Sequence, residues 1–200
     1  MESKQQIRND STIRLLAVAV LQKSHGYERI IKGFERYYQR GMSRKIEFHI
    51  VGDGKELAKY KRLVRQYHLE NYVLFHGRKE GRELDRIYDH ADLALGAFGL
   101  YKRGIYKSSL LKIREYLSKG LPIVSGCRDD AIVQGYKYYL EVPNNSMIID
   151  LKELVDFYEA VYEAGMSRRQ VHEEIRKYAC ENIDISITMM PVVAYIAGGL

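Results

Sequence analysis

Short apolar runs and amphipathic helical stripes alternate along most of this 200-residue chain. That alternation restricts the fold more than any other feature. Ile13–Val20 (IRLLAVAV) is nearly all apolar and reads as a strand buried on both faces. After the polar turn 22–26, Tyr27, Ile30, Ile31, Phe34, Tyr37 and Tyr38 recur at the spacing of one helix face, and Gly41 stops them. The unit then repeats in kind. Lys45–Val51 reads as a strand, Gly52-Asp53-Gly54 as a turn, and Leu57, Tyr60, Val64 and Tyr67 as a helix stripe. Tyr72–His76, Asp92–Ala97, Leu121–Ser125 and Tyr138–Val142 supply further strands. Leu84, Ile87, Tyr88 and Ala91 mark a short helix, Ser108 to Gly120 another, Leu151 to Tyr162 a third, and a last one starts near Ser167. Parallel strands need crossovers, and these helices provide them. The pattern predicts an α/β fold: an open, doubly wound, mostly parallel sheet of about six strands, Rossmann-like, with helices on both faces.

The length suits one domain, at roughly 100–200 residues each. Residues 1–10 are polar and charged and read as a disordered leader, 11–182 as the Rossmann-like domain, and 183–200 as a helical tail. The start has no apolar core of the kind a signal peptide needs. The longest apolar stretch, Met189–Leu200, is interrupted by Pro191 and falls short of the roughly 20 residues of a membrane span. Cys127 and Cys180 have neither metal-site nor disulfide-framework spacing, so the expected setting is cytoplasmic. The net charge of +6 favours anionic partners and equally suits ordinary solubility.

In an open α/β sheet the ligand sits beyond the carboxyl ends of the strands, where the strand order reverses. That selects the turns at 21–26, 52–54, 77–81, 98–109 and 126–130. The segment from Ser108 is the most informative. Ser108 is a good helix N-cap, and unpaired amides at a helix start, with the helix dipole, suit a phosphate. Lys107 stands at the mouth, and Ser108, Lys112, Glu115 and Lys119 share one face. The amides and Lys112 would hold a diphosphate, and Glu115 could accept from both hydroxyls of a ribose. A plainer reading makes Lys112, Glu115 and Lys119 a solvated ion-pair ladder worth roughly 0.2–0.5 kcal/mol per pair. Gly99 and Gly104 read as hinges of a basic loop able to close on a ligand, and Asp53 as a cap for the helix after it.

HIVGDGKELAKYKRLV, VLFHGRKEGRELDRIYDHADLALGAF and SLLKIREYLSKGLPIVSG, in this order and spacing, resemble the C-terminal donor domain of the group-1 family of retaining glycosyltransferases. HGYERIIKGFERYY looks like the turn and helix after that domain's first strand. The resemblance runs from about Ile13 to Asn145. It implies two Rossmann-like domains of the GT-B kind, a UDP- or GDP-type sugar nucleotide as donor, retention of anomeric configuration and no required metal or other cofactor. By resemblance, Glu115 matches the acid that binds the ribose. Ser109, Leu110 and Leu111 match the backbone amides around the diphosphate. Gly77 and Arg78 match the loop that frames the base. His25 and Gly26 match a Lys-Gly pair whose cation touches phosphate.

Three positions depart from that pattern. The first acid of the family's E-x7-E motif falls on Lys107, a first-loop Arg on Val20, and the first-loop Lys on His25. Lys107 suggests an anionic donor sugar such as a uronate. Lys107 and His25 are the expected catalytic cations at the leaving phosphate. The reading implies polysaccharide or glycolipid synthesis, with an acceptor held by an N-terminal domain that this chain does not include. The isolated chain is then expected to bind nucleotide and turn over poorly. A lipid-linked acceptor would bring it to the inner membrane face. One alternative is a stand-alone nucleotide-binding subunit. Another is an epimerase-like enzyme, for which the sequence offers no convincing acid–base pair. Nucleic acid is not an expected partner, since the basic residues gather at loop ends rather than along one recognition helix.

Overall fold

A computed structural model describes residues 12–162 and 165–196. In chain order the first elements are β1 (Ile13–Val18), α1 (Glu28–Gln39), β2 (Ile46–Val51), α2 (Leu57–Gln66), β3 (Val73–Gly77), α3 (Gly81–His90) and β4 (Leu93–Leu95). A 3-10 turn (Leu100–Arg103) leads to β5 (Lys107–Ser108), α4 (Leu111–Lys119), β6 (Ile123–Ser125), β7 (Arg128–Asp129) and β8 (Tyr139–Glu141). Helices α5 (Leu151–Tyr162), α6 (Arg168–Asn182), α7 (Ile185–Thr188) and α8 (Met190–Ile196) finish the chain.

Six strands form one sheet in the order β3-β2-β1-β4-β6-β8, every pair parallel. This is the expected doubly wound architecture. Side chains alternate across β1 with the period of two that a strand imposes. Ile13, Leu15 and Ala17 enter a core with α1, α2 and α5, while Leu16 enters a second core with α3, α4 and α6. Phe34, Phe48 and Tyr60 fill the first layer, and Ile113, Leu117, Val171 and Ile175 the second, all close to fully buried. A strand buried on both faces is apolar on both, which is why β1, apart from Arg14 near its start, carries no clean alternation in its sequence.

β4 is shorter than the expected Asp92–Ala97 strand: Gly96 and Ala97 still bond to the β6 side, and from Phe98 the chain crosses at the strand tips to the loop that follows β1. The tail forms two short helices, and Met190, Val192, Val193, Tyr195 and Ile196 are exposed on the second. The expected leader and the last residues of the expected tail lie outside the described residues. Among the described residues no helix is long and apolar enough to cross a membrane.

Candidate functional site

The strand order reverses between β1 and β4. Both run in the same direction, with Leu15 beside Leu93 and Leu16 beside Ala94, and beyond these pairs they part. Two tyrosines occupy the gap. From one layer, Tyr116 of α4 accepts from the Val18 amide at 3.0 Å and donates to the Leu95 carbonyl at 3.3 Å. From the other, Tyr27 donates to the Gly96 carbonyl at 3.2 Å. Both rings are fully buried, and burial pushes both phenols above their ordinary range. They satisfy backbone groups that the diverging strands cannot pair with each other.

The turns after β1 and β4 are knitted together above this gap. Phe98 and Gly99 donate their amides to the carbonyls of His25 and Ser24 at 2.8 and 3.0 Å. A Cβ on Gly26 would stand 2.6 Å from the Gly99 nitrogen, and its φ is +63°, so glycine is required twice over. Buried Arg29 donates to the carbonyls of Met147, Phe98 and Pro143 at 2.6, 2.8 and 2.9 Å, tying these turns to the one after β8. The basic loop is therefore fastened rather than hinged: Lys102 pairs with Glu28 at 2.6 Å, and a Cβ on Gly99 would meet the Lys23 carbonyl at 2.4 Å. The Gly52-Asp53-Gly54 turn packs in the same way, with the Gly52 Cβ position 1.9 Å from the Ala19 carbonyl oxygen. Asp53 accepts from the Gly54 amide at 2.6 Å instead of capping α2.

The start of α4 corrects the sequence reading in detail. Ser108 is not its N-cap. Lys107 and Ser108 form the short strand β5, paired with β7, and the N-cap is Leu110, which has no side chain able to cap. The cap comes from elsewhere in the chain. Asp129 is 1% exposed; its carboxylate accepts from the Leu110 amide at 2.8 Å, the Ala131 amide at 3.1 Å and the Ser108 hydroxyl at 3.2 Å. Burial pushes this carboxyl up, against the pull of the two amides. The next amides of the first turn, those of Leu111 and Lys112, have no partner within a helix by construction. Leu111 is 84% exposed, so the helix start opens to solvent.

Lys112 turns inward. Its Nζ donates to the Tyr27 hydroxyl at 3.0 Å and approaches the Gly96 carbonyl at 3.5 Å, directly at the switch point. Lys119 pairs with Asp85 of α3 at 2.8 Å. With its two lysines directed elsewhere, the expected surface ladder does not form, and Glu115 lies exposed between them. Glu115 stands by Tyr88 of α3, whose phenol is raised by burial, by Tyr116 and by that carboxylate. Burial lowers the Lys112 amine to about 7, with Glu115 pulling the other way. The imidazole of His25 stacks on Tyr27 at 5.5 Å, and its Nδ1 accepts from the Gln22 amide at 3.0 Å. Burial, then the Lys112 charge, lowers it to about 3. His25 is thus a neutral ring with its proton on Nε2, able to donate but not the cation that the resemblance implied.

The structure brings His25, beside Gly26, and Lys112 together at Tyr27, with the 107–111 segment leading into Lys112. Lys107 is exposed beside Arg128 on the small sheet. Gly77 and Arg78 lie two strands away at the end of β3, linked to the crevice through the Gly52 amide, which donates to the Gly77 carbonyl at 2.8 Å. Arg78 is exposed and pairs with Glu80 at 3.3 Å. Tyr27, Tyr116 and Asp129 were missed as site residues. Tyr27 reads as a core stripe position, Tyr116 carries no signal of its own in the sequence, and Asp129 lies 19 residues beyond the amide it caps. A cavity of about 370 Å³ lies apart from the crevice, under α3, lined by Arg14, His49, His76 and His90 among others.

The fold is a Rossmann-like α/β domain whose strand order reverses between β1 and β4, and comparison narrows the class. The chain belongs to the family described as "Glycosyl transferases group 1", whose model matches residues 2–141, and it corresponds to a partial, C-terminal-like domain of the GT-B fold. No match is found among curated protein sequences. Among solved structures it is similar to HepE of Anabaena in complex with UDP, with a TM-score of 0.68 and 16% identity over 95% of this chain and 50% of that one. It is similar to the lipopolysaccharide outer core galactosyltransferase WaaB, apo form, at 0.67 and 16% over 98% of this chain and 51% of that one. The pneumococcal O-GlcNAc transferase GtfA, in complex with UDP and GlcNAc, gives 0.59 and 15% over 85% of this chain and 32% of that one. The chain therefore spans between a third and a half of these relatives.

Proposed function

We propose that this chain is the donor half of a hexosyl-type retaining glycosyltransferase, which holds a nucleotide-diphosphate sugar for transfer to an acceptor on a domain outside the chain. The observation that carries this reading is the start of α4, which opens at the switch point with Lys112 turned in beneath it. The amides of Leu111 and Lys112 and the Lys112 amine would meet the diphosphate. Glu115, one turn on and exposed, would accept from the ribose hydroxyls. Gly77 and Arg78 would frame the base. When the bond from the anomeric carbon to the phosphate oxygen breaks, its electron pair goes to the leaving diphosphate. Preorganised donors at that oxygen then lower the barrier most. Lys112, the helix amides and the His25 Nε2–H meet that charge, so the reading needs no metal. Lys107, at the edge of the same segment, would face the donor sugar and favour an anionic one.

UDP is the first nucleotide to test, since the HepE and GtfA structures hold it. Calorimetric titration with UDP, GDP, ADP and their sugars should show one preferred nucleotide. Glu115→Ala should weaken it without unfolding the chain. An affinity left intact by that substitution takes Glu115 out of the site, and heat from none of the nucleotides removes the donor reading altogether. Polysaccharide or glycolipid synthesis, at the inner membrane face where the acceptor is lipid-linked, is the setting this reading fits.

A further inference from the structure

Lys112 has an unusual environment for the cation of an anion site. Among the described residues its Nζ reaches the Tyr27 hydroxyl and the Gly96 carbonyl, neither of them charged. Tyr27 passes its own proton on to the Gly96 carbonyl, so Lys112, Tyr27 and the turn after β4 form one chain of hydrogen bonds. The groups packed around the amine offer little compensation. Tyr27 and the neutral His25 come from the segment joining β1 to α1, Tyr60 of α2 stands behind Tyr27, and Tyr116 and Glu115 come from α4 itself. Glu115 is the one carboxylate among them, and it is exposed to screening by water. Taking an ammonium out of water without a buried counter-ion is costly, and the group avoids that cost by giving up its proton.

A diphosphate in the crevice would reverse this balance, because it brings the missing negative charge to the helix start directly above the amine. Resting on the donor-site reading given above, we propose that Lys112 is a proton-loaded clamp: a neutral amine parked on the Tyr27 hydroxyl until a nucleotide diphosphate arrives, then an ammonium bound to it, so that donor binding consumes a proton. The crevice is consequently tuned by pH through one residue. Binding is strongest where the amine is already charged and weakens as the solution becomes too alkaline to supply the proton. The amine of the free protein titrates at about 7, so that weakening begins just above neutrality.

The test is calorimetry with UDP-glucose, or with the sugar of whichever nucleotide the chain prefers. A diphosphate diester has no group of its own titrating near neutrality. Titrations in buffers of low and high ionisation enthalpy give the number of protons exchanged. The expected result is uptake of close to one proton near pH 8 and progressively less towards pH 6, with affinity falling up to about tenfold per pH unit above pH 7. Lys112→Met should bind more weakly with no proton uptake. Lys112→Arg, which stays charged throughout, should bind without uptake and without the pH dependence. Measurable binding with zero uptake in the wild-type chain overturns the clamp and leaves the donor site standing, as does uptake that persists in both variants. Absence of binding by every sugar nucleotide sinks the donor site and the clamp together.

Discussion

Helix α6 begins at Ser167, whose hydroxyl accepts from the Gln170 amide while the Gln170 side chain accepts from the Ser167 amide. Helix α4 begins at Leu110, which has nothing to offer, and Asp129 reaches in to hold its amide. A reciprocal capping box satisfies orphan amides locally and fixes a helix whose task is to pack. α6 does pack, burying Val171, Ile175 and Ala179 in the core it shares with α4. A cap supplied from another segment anchors the helix from the side and leaves the following amides facing outward. The comparison teaches that a missing local cap together with a remote one leaves a helix start open, which a good capping residue beside it would not.

Four measurements can break or sharpen this contrast. The largest effect should come with acid. Each helix has a neutral histidine at its side: His25 near the start of α4 and His172 on α6. Burial lowers both to about 3; Lys112 adds to this at His25, and Arg168 and Arg176 at His172. The folded values lie below the unfolded one, so the unfolded chain binds more protons and stability drops as pH falls below about 6.5, by roughly 1.4 kcal/mol per pH unit for each ring. Urea unfolding at pH 7 and pH 5 reads this directly; equal stability at the two values would mean that neither ring is sequestered. Next, Asp129→Ala strands buried donors and should cost about 3 kcal/mol of folding stability. An unchanged urea midpoint would show that the remote cap does not hold α4. Third, Glu115→Ala should reduce nucleotide affinity about tenfold, or ~1.4 kcal/mol, with no change in melting temperature. Last, Ser167→Ala should remove about 1 kcal/mol of stability and leave nucleotide affinity untouched. A nucleotide effect from this substitution would erase the distinction between the two helix starts.

Much of the architecture was legible before any coordinate. β1 is apolar but for Arg14 because both its faces are covered, and α1 carries its stripe at Ile30, Ile31 and Phe34 because one face only is buried. A doubly wound parallel sheet followed from alternation and crossover handedness, and the strand tips as the place to look followed from that architecture, but the strand order itself did not. The site itself was read less well. Ser108 looked like a cap since serine commonly is one, and nothing near it in the chain announces Asp129. His25 was expected as a cation because the resemblance sets it at the position of a lysine, whereas its charge state depends on Tyr27, Gln22 and Lys112 around it.

Hydrophobic periodicity is a local property, so the chain alone determined which segments are strands, which are helices and how they wind into a parallel sheet. Desolvation and capping depend on what lies within a few ångströms in space. Only the packed molecule decided that Lys112 turns in rather than out, that His25 stays neutral, and that a carboxylate from beyond β6 sets where α4 begins.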